Sequence, residues 1–118
     1  MAKLLLVDDD ADLAETLADL FSMLDHDVQV FSEGTPALAA MKSANFDLIL
    51  LDWQLPDMQG IEVCKAYRDG GGKDRILMLT GMRDAESREA GKAAGADDFL
   101  IKPFTVDQIT QRLEAMLA

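Results

Sequence analysis

The segment "LLLVDDDADL", residues 4–13, sets three consecutive carboxylates directly behind four aliphatic residues. Two carboxylates about 4 Å apart repel by roughly 4 kcal/mol at an effective dielectric near 20. Acids concentrated where an apolar run ends therefore need something to offset them. Three other apolar runs also lead into polar residues: "LILLD" into Asp52, "RILMLT" into Thr80 and "DFLI" into Lys102. Asp8, Asp9 and Asp52 together form a hard oxygen set suited to Mg2+, an ion that takes one or two carboxylates plus water and phosphate oxygens. The metal and the Lys102 ammonium would then neutralise the cluster. These residues act together only if the fold brings the ends of the runs to one place.

The pattern of the chain predicts that it does. Leu4–Val7 reads as a first strand, and Leu13, Leu17, Leu20 and Leu24 recur at helical spacing behind it. A weaker strand at Val28–Phe31 precedes a helix containing Leu38 and Met41, with Thr35 as N-cap and Pro36 in its first turn. "FDLILLD" at 46–52 is a buried strand without polar alternation. Ile61, Val63, Cys64 and Tyr67 mark a third helix that ends at Gly70-Gly71-Gly72. A strand at 75–80, a small-residue helix over 85–94 closed by Gly95, and a strand at 98–101 follow. Thr105 and Gln108 form a capping box for a last helix whose inner stripe is Val106, Ile109, Leu113 and Met116. Five strands alternating with five helices imply a doubly wound parallel sheet between two helical layers, a three-layer α/β/α sandwich. Such sheets bind ligands beyond the carboxyl ends of their strands. Asp8, Asp9, Asp52, Thr80 and Lys102 all belong there.

Composition narrows the function. The chain has 118 residues, the size of one domain, and carries 22 acidic against 11 basic side chains for a net charge of −11. That balance disfavours direct contact with nucleic acid or an anionic membrane surface. No apolar run approaches the roughly 20 residues of a membrane span, and the N-terminus lacks the apolar core of a signal peptide. Cys64 stands alone, which excludes an internal disulfide and points to a reducing cytoplasm.

Four fragments in order, "VDD", "LLDWQLPDMQG", "LTG" and "GADDFLIKPF", each at its expected element, resemble the receiver domains of two-component response regulators over essentially the whole chain. The resemblance implies one receiver domain over residues 1–118, a (βα)5 sheet of strand order 2-1-3-4-5, and a phosphoryl group accepted by Asp52 from the phosphohistidine of a sensor kinase or phosphotransfer protein. It also implies Mg2+ held by Asp9 and Asp52, by Asp8 through water, and by the backbone carbonyl of Gln54. Thr80 and Lys102 would contact the phosphoryl oxygens. Gly81 would leave room for the incoming donor, and the Lys102–Pro103 bond is commonly cis in this family. Phosphoryl transfer is largely positioning and charge stabilisation, and a carboxylate can serve as its nucleophile.

For output, the resemblance assigns a switch to Thr80 and Phe99 and a changing surface to helix four, strand five and helix five. "GADDFLIKPF…QITQRLEAML" resembles receivers that carry winged-helix domains and dimerise by that face. Asp98 and Arg112 match positions that pair across it. Arg88 keeps the expected basic character, whereas Gln108 stands where an acid is usual. A phosphorylation-dependent homodimer, weakened by that missing ion pair, is the expectation. The protein would catalyse only its own phosphorylation and dephosphorylation, so it is not read as a conventional enzyme.

Other readings meet obstacles. A haloacid-dehalogenase-like aspartyl-phosphate phosphatase needs a second Asp two positions after the nucleophile, where Gln54 stands. A flavodoxin-like electron carrier wants a Ser/Thr/Gly-rich phosphate loop after the first strand, where acids stand instead. A phosphorylation-independent pseudo-receiver would lack part of the site. Singly, Asp8 or Asp9 could cap a helix and Lys102 could be a solvated lysine. His26 reads as a solvated turn residue, Cys64 as packing and Gly70–Gly72 as a flexible connector. Trp53, the one tryptophan, adjoins Asp52 and should report optically on the site.

Overall fold

The computed structural model describes all of residues 1–118. The elements follow in order: β1 (Lys3–Val7), α1 (Ala11–Met23), β2 (Asp27–Phe31), α2 (Gly34–Ser43), β3 (Leu48–Asp52), α3 (Gly60–Asp69), β4 (Ile76–Thr80), α4 (Ala85–Ala94), β5 (Asp98–Ile101) and α5 (Val106–Leu117). The five strands are parallel in the order β2-β1-β3-β4-β5. Leucine is not a strong strand former, so burial on both faces decides these elements more than intrinsic propensity. Every residue of β3 and β4 is buried.

Alternate strand residues feed two separate cores. Leu5, Val7, Ile49, Leu51, Ile76 and Met78 pack with Ala37, Met41, Val63, Cys64 and Tyr67 beneath α2, α3 and α4. Leu4, Leu6, Leu48, Leu50, Leu77 and Leu79 pack with Leu17, Phe21, Ile109 and Leu113 of α1 and α5. Each fully buried leucine is worth about 1.5–3 kcal/mol relative to exposure. The sheet is thus clamped from both sides, and its strand ends form a firm edge.

Register then aligns the polar strand ends. Val7 pairs with Leu51, so Asp8 stands beside Asp52. Asp52 pairs with Leu79, one residue before Thr80, and Thr80 pairs with Ile101, one residue before Lys102. Ladder-like bonds continue past the strands, from Trp53 N–H to the Leu79 carbonyl at 2.9 Å and from Lys102 N–H to the Thr80 carbonyl at 2.7 Å.

Several details depart from the sequence reading. Thr35 is not the N-cap of α2; Glu33 holds that position without a side-chain bond. The N–H groups of Gly34 and Thr35 instead donate to the two carboxylate oxygens of Asp57, each at 2.7 Å, from the loop after β3. Val106 is 58% exposed and Leu24 is 41% exposed, so neither belongs to an inner stripe; Ala14, Leu17 and Phe21 form that of α1. His26 is half-buried, and its Nδ1 accepts the Ala2 N–H at 3.0 Å. Gly70–Gly72 is fastened: Arg68 donates to the Gly72 carbonyl at 3.0 Å and Gly72 N–H to the Tyr67 carbonyl at 2.9 Å. Thr35 and His26 are each engaged by a group more than 20 positions away, which spacing along the chain does not reveal.

Hydrogen bonds from the Thr35 hydroxyl, then from the Thr35 and Gly34 N–H groups, hold the Asp57 carboxyl below its usual 3.8, at about 2. A depressed carboxyl stabilises the fold above its unfolded value and loses that contribution as pH falls through the folded value. Asp57→Ala should therefore melt several degrees below the parent at pH 7. The gap in thermal midpoint should narrow as pH drops from about 4 toward 2.

Candidate functional site

The three consecutive acids after β1 divide their work. Asp10 caps α1, its side chain accepting the Leu13 N–H at 3.2 Å. This leaves Asp8 and Asp9 free for the strand edge. Asp8 is only 1% exposed; its Oδ1 accepts the Asp10 N–H at 2.9 Å, which turns the chain and aims the carboxylate at β3. Asp9 is exposed beside it. Oxygen atoms of Asp8, Asp9 and Asp52 lie within 4.8 Å of one another.

Lys102 reaches into this cluster from the far side of the sheet. Its Nζ donates to Asp8 Oδ2 at 2.9 Å and lies 3.3 Å from Asp52 Oδ1. The Lys102–Pro103 peptide bond is cis. Thr80 is buried at the end of β4, and its Oγ1 accepts the Met82 N–H at 2.9 Å. That bond leaves the hydroxyl proton free to be donated. A cleft of about 330 Å3 opens over these groups, lined by Asp9, Asp52, Trp53, Gln54, Thr80, Gly81, Met82 and Lys102. The structure thus brings together Asp8, Asp9, Asp52, Thr80 and Lys102, with Gln54 at the rim.

The electrostatics show strain in the charge balance. Burial, then the neighbouring Asp8 charge, raises the Asp52 carboxyl from 3.8 to about 6 against the opposing pull of Lys102. Burial lowers the Lys102 ammonium, but the Asp8 hydrogen bond and the charges of Asp52 and Asp8 outweigh it and raise the group above the ordinary lysine value. Three carboxylates against one ammonium leave two negative charges, the deficit a divalent cation would fill. Hard oxygen donors at these separations suit Mg2+, and Asp8, Asp9 and Asp52 are the residues that would hold it.

Two residues near the site escaped the sequence reading. Asp57 ties the loop after β3 to α2, as described above. Gly60 lets α3 begin directly against the strand end: a Cβ there would sit 2.0 Å from the Asp52 carbonyl oxygen. Its N–H donates to the Trp53 carbonyl at 2.6 Å. The signal for both was present in "LPDMQG", as an acid and a glycine in a loop between two buried elements. The output-face residues also find partners. Arg112 lies 3.1 Å from Asp98 within the same chain and donates to the Phe99 carbonyl. Phe99 is buried, with the Arg88 guanidinium 5.7 Å from its ring centre.

Comparison with known proteins decides the family. Residues 4–114 match the family described as response regulator receiver domain. This chain belongs to that family. The receiver is 41% identical over 115 residues to the DNA-binding response regulator MtrA of Mycolicibacterium paratuberculosis, covering 98% of this chain and 51% of that one. It is 35% identical over 117 residues to the response regulator ArlR of Staphylococcus saprophyticus, covering 99% and 53%. The receiver therefore spans about half the length of the curated relatives it matches. Among solved structures it superimposes on the chemotaxis response regulator CheY4 of Vibrio cholerae with a TM-score of 0.93 at 34% identity, covering 99% of both chains. The BeF3-activated receiver domain of Klebsiella pneumoniae RstA gives 0.89 at 28% identity, covering 98% and 97%. The Asp8, Asp9 and Asp52 pocket fits the phosphorylation site of a receiver in two-component signalling, a role that implies a histidine kinase or phosphotransfer partner. No helix is long and apolar enough to cross a membrane.

The raised Asp52 carboxyl carries a stability consequence. An acid whose folded value lies above its unfolded value destabilises the fold once both states ionise, so the penalty is full above about pH 6 and absent below 3.8. In EDTA at pH 7.5, Asp52→Asn should raise stability by on the order of 1–3 kcal/mol. The gain should shrink steadily in denaturant titrations run from pH 6.5 down to 4.

Proposed function

We propose that Asp52 is the phosphoacceptor of this receiver and that residues 1–118 act as one receiver domain. The observation that carries the reading is the Asp52 carboxylate at the base of an open cleft, with the Lys102 ammonium at 3.3 Å and two further carboxylates close by. At pH 7 an acid of value about 6 is mostly ionised and more basic than a free aspartate, which suits it to attack phosphorus. One Asp52 oxygen forms the new O–P bond while the P–N bond to the donor imidazole breaks and the imidazole leaves with the electron pair. Mg2+ bound by Asp9, Asp52, the Gln54 carbonyl and Asp8 through water would supply charge neutralisation for the phosphoryl oxygens. Lys102 neutralises the remaining charge from the opposite side, and the free proton of the Thr80 hydroxyl is donated to a phosphoryl oxygen. Gly81 carries no side chain over the mouth of the cleft.

The donor in this reading is a cytoplasmic sensor kinase or phosphotransfer protein. The receiver acts catalytically only on itself, speeding its own phosphorylation and hydrolysis. Two-state output follows if Thr80 and Phe99 shift when phosphate contacts favour one arrangement. A phosphorylation-dependent homodimer by α4, β5 and α5 belongs to the same proposal. In it the intrachain Asp98–Arg112 pair exchanges for pairs between subunits. Sedimentation of the phosphorylated protein at high concentration should then show dimers; a monomer under those conditions would sink the dimer alone.

Intact-mass measurement after incubation with phosphoramidate tests the central claim. The parent should gain a single base-labile phosphoryl group with Mg2+ and none with EDTA, and Asp52→Asn should gain none. A parent that stays unmodified in Mg2+ would favour a pseudo-receiver.

A further inference from the structure

Gly91 occupies the middle of α4, where glycine is a poorer choice than alanine for helix stability. It is buried, and the space above it is taken. A Cβ at position 91 would lie 2.5 Å from Phe99 Cε1, 2.7 Å from Phe99 Cζ and 3.3 Å from Trp53 Cζ3. Two aromatic rings thus meet α4 at one point. One belongs to the residue that follows Asp52; the other belongs to β5.

Helix α4 buries little of its own surface. Gly91 and Ala94 are its only buried residues. Its C-terminal end is pinned, with Cys64 Sγ donating to the Ala94 carbonyl at 3.4 Å and Arg68 Nε to the Gly95 carbonyl at 3.0 Å. Along its middle the grip is the Phe99 ring, held between Gly91 and the Arg88 guanidinium. The Trp53 backbone, meanwhile, is fastened to β4 through its N–H and to α3 through its carbonyl. The indole therefore joins the residue after Asp52 to the middle of α4. Packed contacts of this kind pass on a displacement because close-packed interiors do not absorb it.

We propose that Gly91 is the positioning residue that couples α4 to the phosphoacceptor strand. It clears the space in which Phe99 and Trp53 lie together beneath the helix. The inference rests on reading Asp52 as the phosphoacceptor and adds the contact by which its state reaches α4. A methyl group at position 91 displaces the Phe99 ring or lifts α4 from it, and in either case the helix no longer follows the site.

The test uses beryllofluoride with Mg2+ as the phosphoryl mimic and amide deuterium uptake as the readout. In the parent, the mimic should alter uptake in the loops after β3 and β4 and also across residues 85–94. In Gly91→Ala the loops should still respond, while the response across 85–94 falls to less than about half. Thermal midpoints supply a second check. Gly91→Ala should lower the midpoint when Phe99 is present and raise it in a Phe99→Ala background, with Phe99→Leu as the companion if that background does not fold. Undiminished response of 85–94 in Gly91→Ala, or a raised midpoint in both backgrounds, would overturn the coupling. A parent whose loops respond without α4 overturns the coupling only. A parent whose loops do not respond removes the phosphoacceptor reading as well.

Discussion

Lys102 and Asp8 are separated by 94 positions in the chain, yet the ammonium of one lies 2.9 Å from the carboxylate of the other. That contact, shared with Asp52, is the condition under which three acids can crowd one sheet edge. A buried ionic cluster is seldom a net source of stability, and removing one partner usually costs more than the pair contributes. The raised Asp52 carboxyl shows the same imbalance from the other side, since Lys102 offsets the repulsion without cancelling it. Stability comes from elsewhere, chiefly the leucines of β1, β3 and β4, buried on both faces. The fold keeps its strain at the site and its cohesion in the sheet, the usual division where a local stability rule is broken for function.

The loop after β3 illustrates how this strained edge is held. Asp57 reaches back to the first two N–H groups of α2, and Gly60 lets α3 start against the Asp52 carbonyl. Ahead of both, directly after Trp53, the chain runs through Gln54, whose carbonyl the family resemblance assigns to the metal. The loop is thus fastened to α2 on one side and to the end of β3 on the other.

Much of this molecule was legible in the residues alone. Apolar runs without polar alternation, each followed by a helical pattern, set the order of all ten elements, because only a sheet covered on both faces buries such runs. Asp8, Asp9, Asp52, Thr80 and Lys102 were legible for a related reason. Each ends or follows a strand, and parallel strands carry their ends to one edge. The capping box at Thr105 and Gln108 and the closing Gly95 were equally plain, being local chemistry.

What sequence patterns missed has a common physical form. Thr35 looks like a cap until a carboxylate 22 positions away supplies the bonds instead. Val106 fits the helical stripe, yet α5 turns it to solvent. Gly70–Gly72 reads as slack until Arg68 binds it, and Gly91 gives no hint of the two rings that need its missing side chain. Periodicity and spacing determined which elements form, their type and the edge on which the acids gather, because those depend on neighbours in the chain. Which groups actually meet, Lys102 with Asp8 and Asp52, Asp57 with α2, Phe99 and Trp53 with Gly91, was decided by tertiary packing, since distances across a folded core are set by every layer at once.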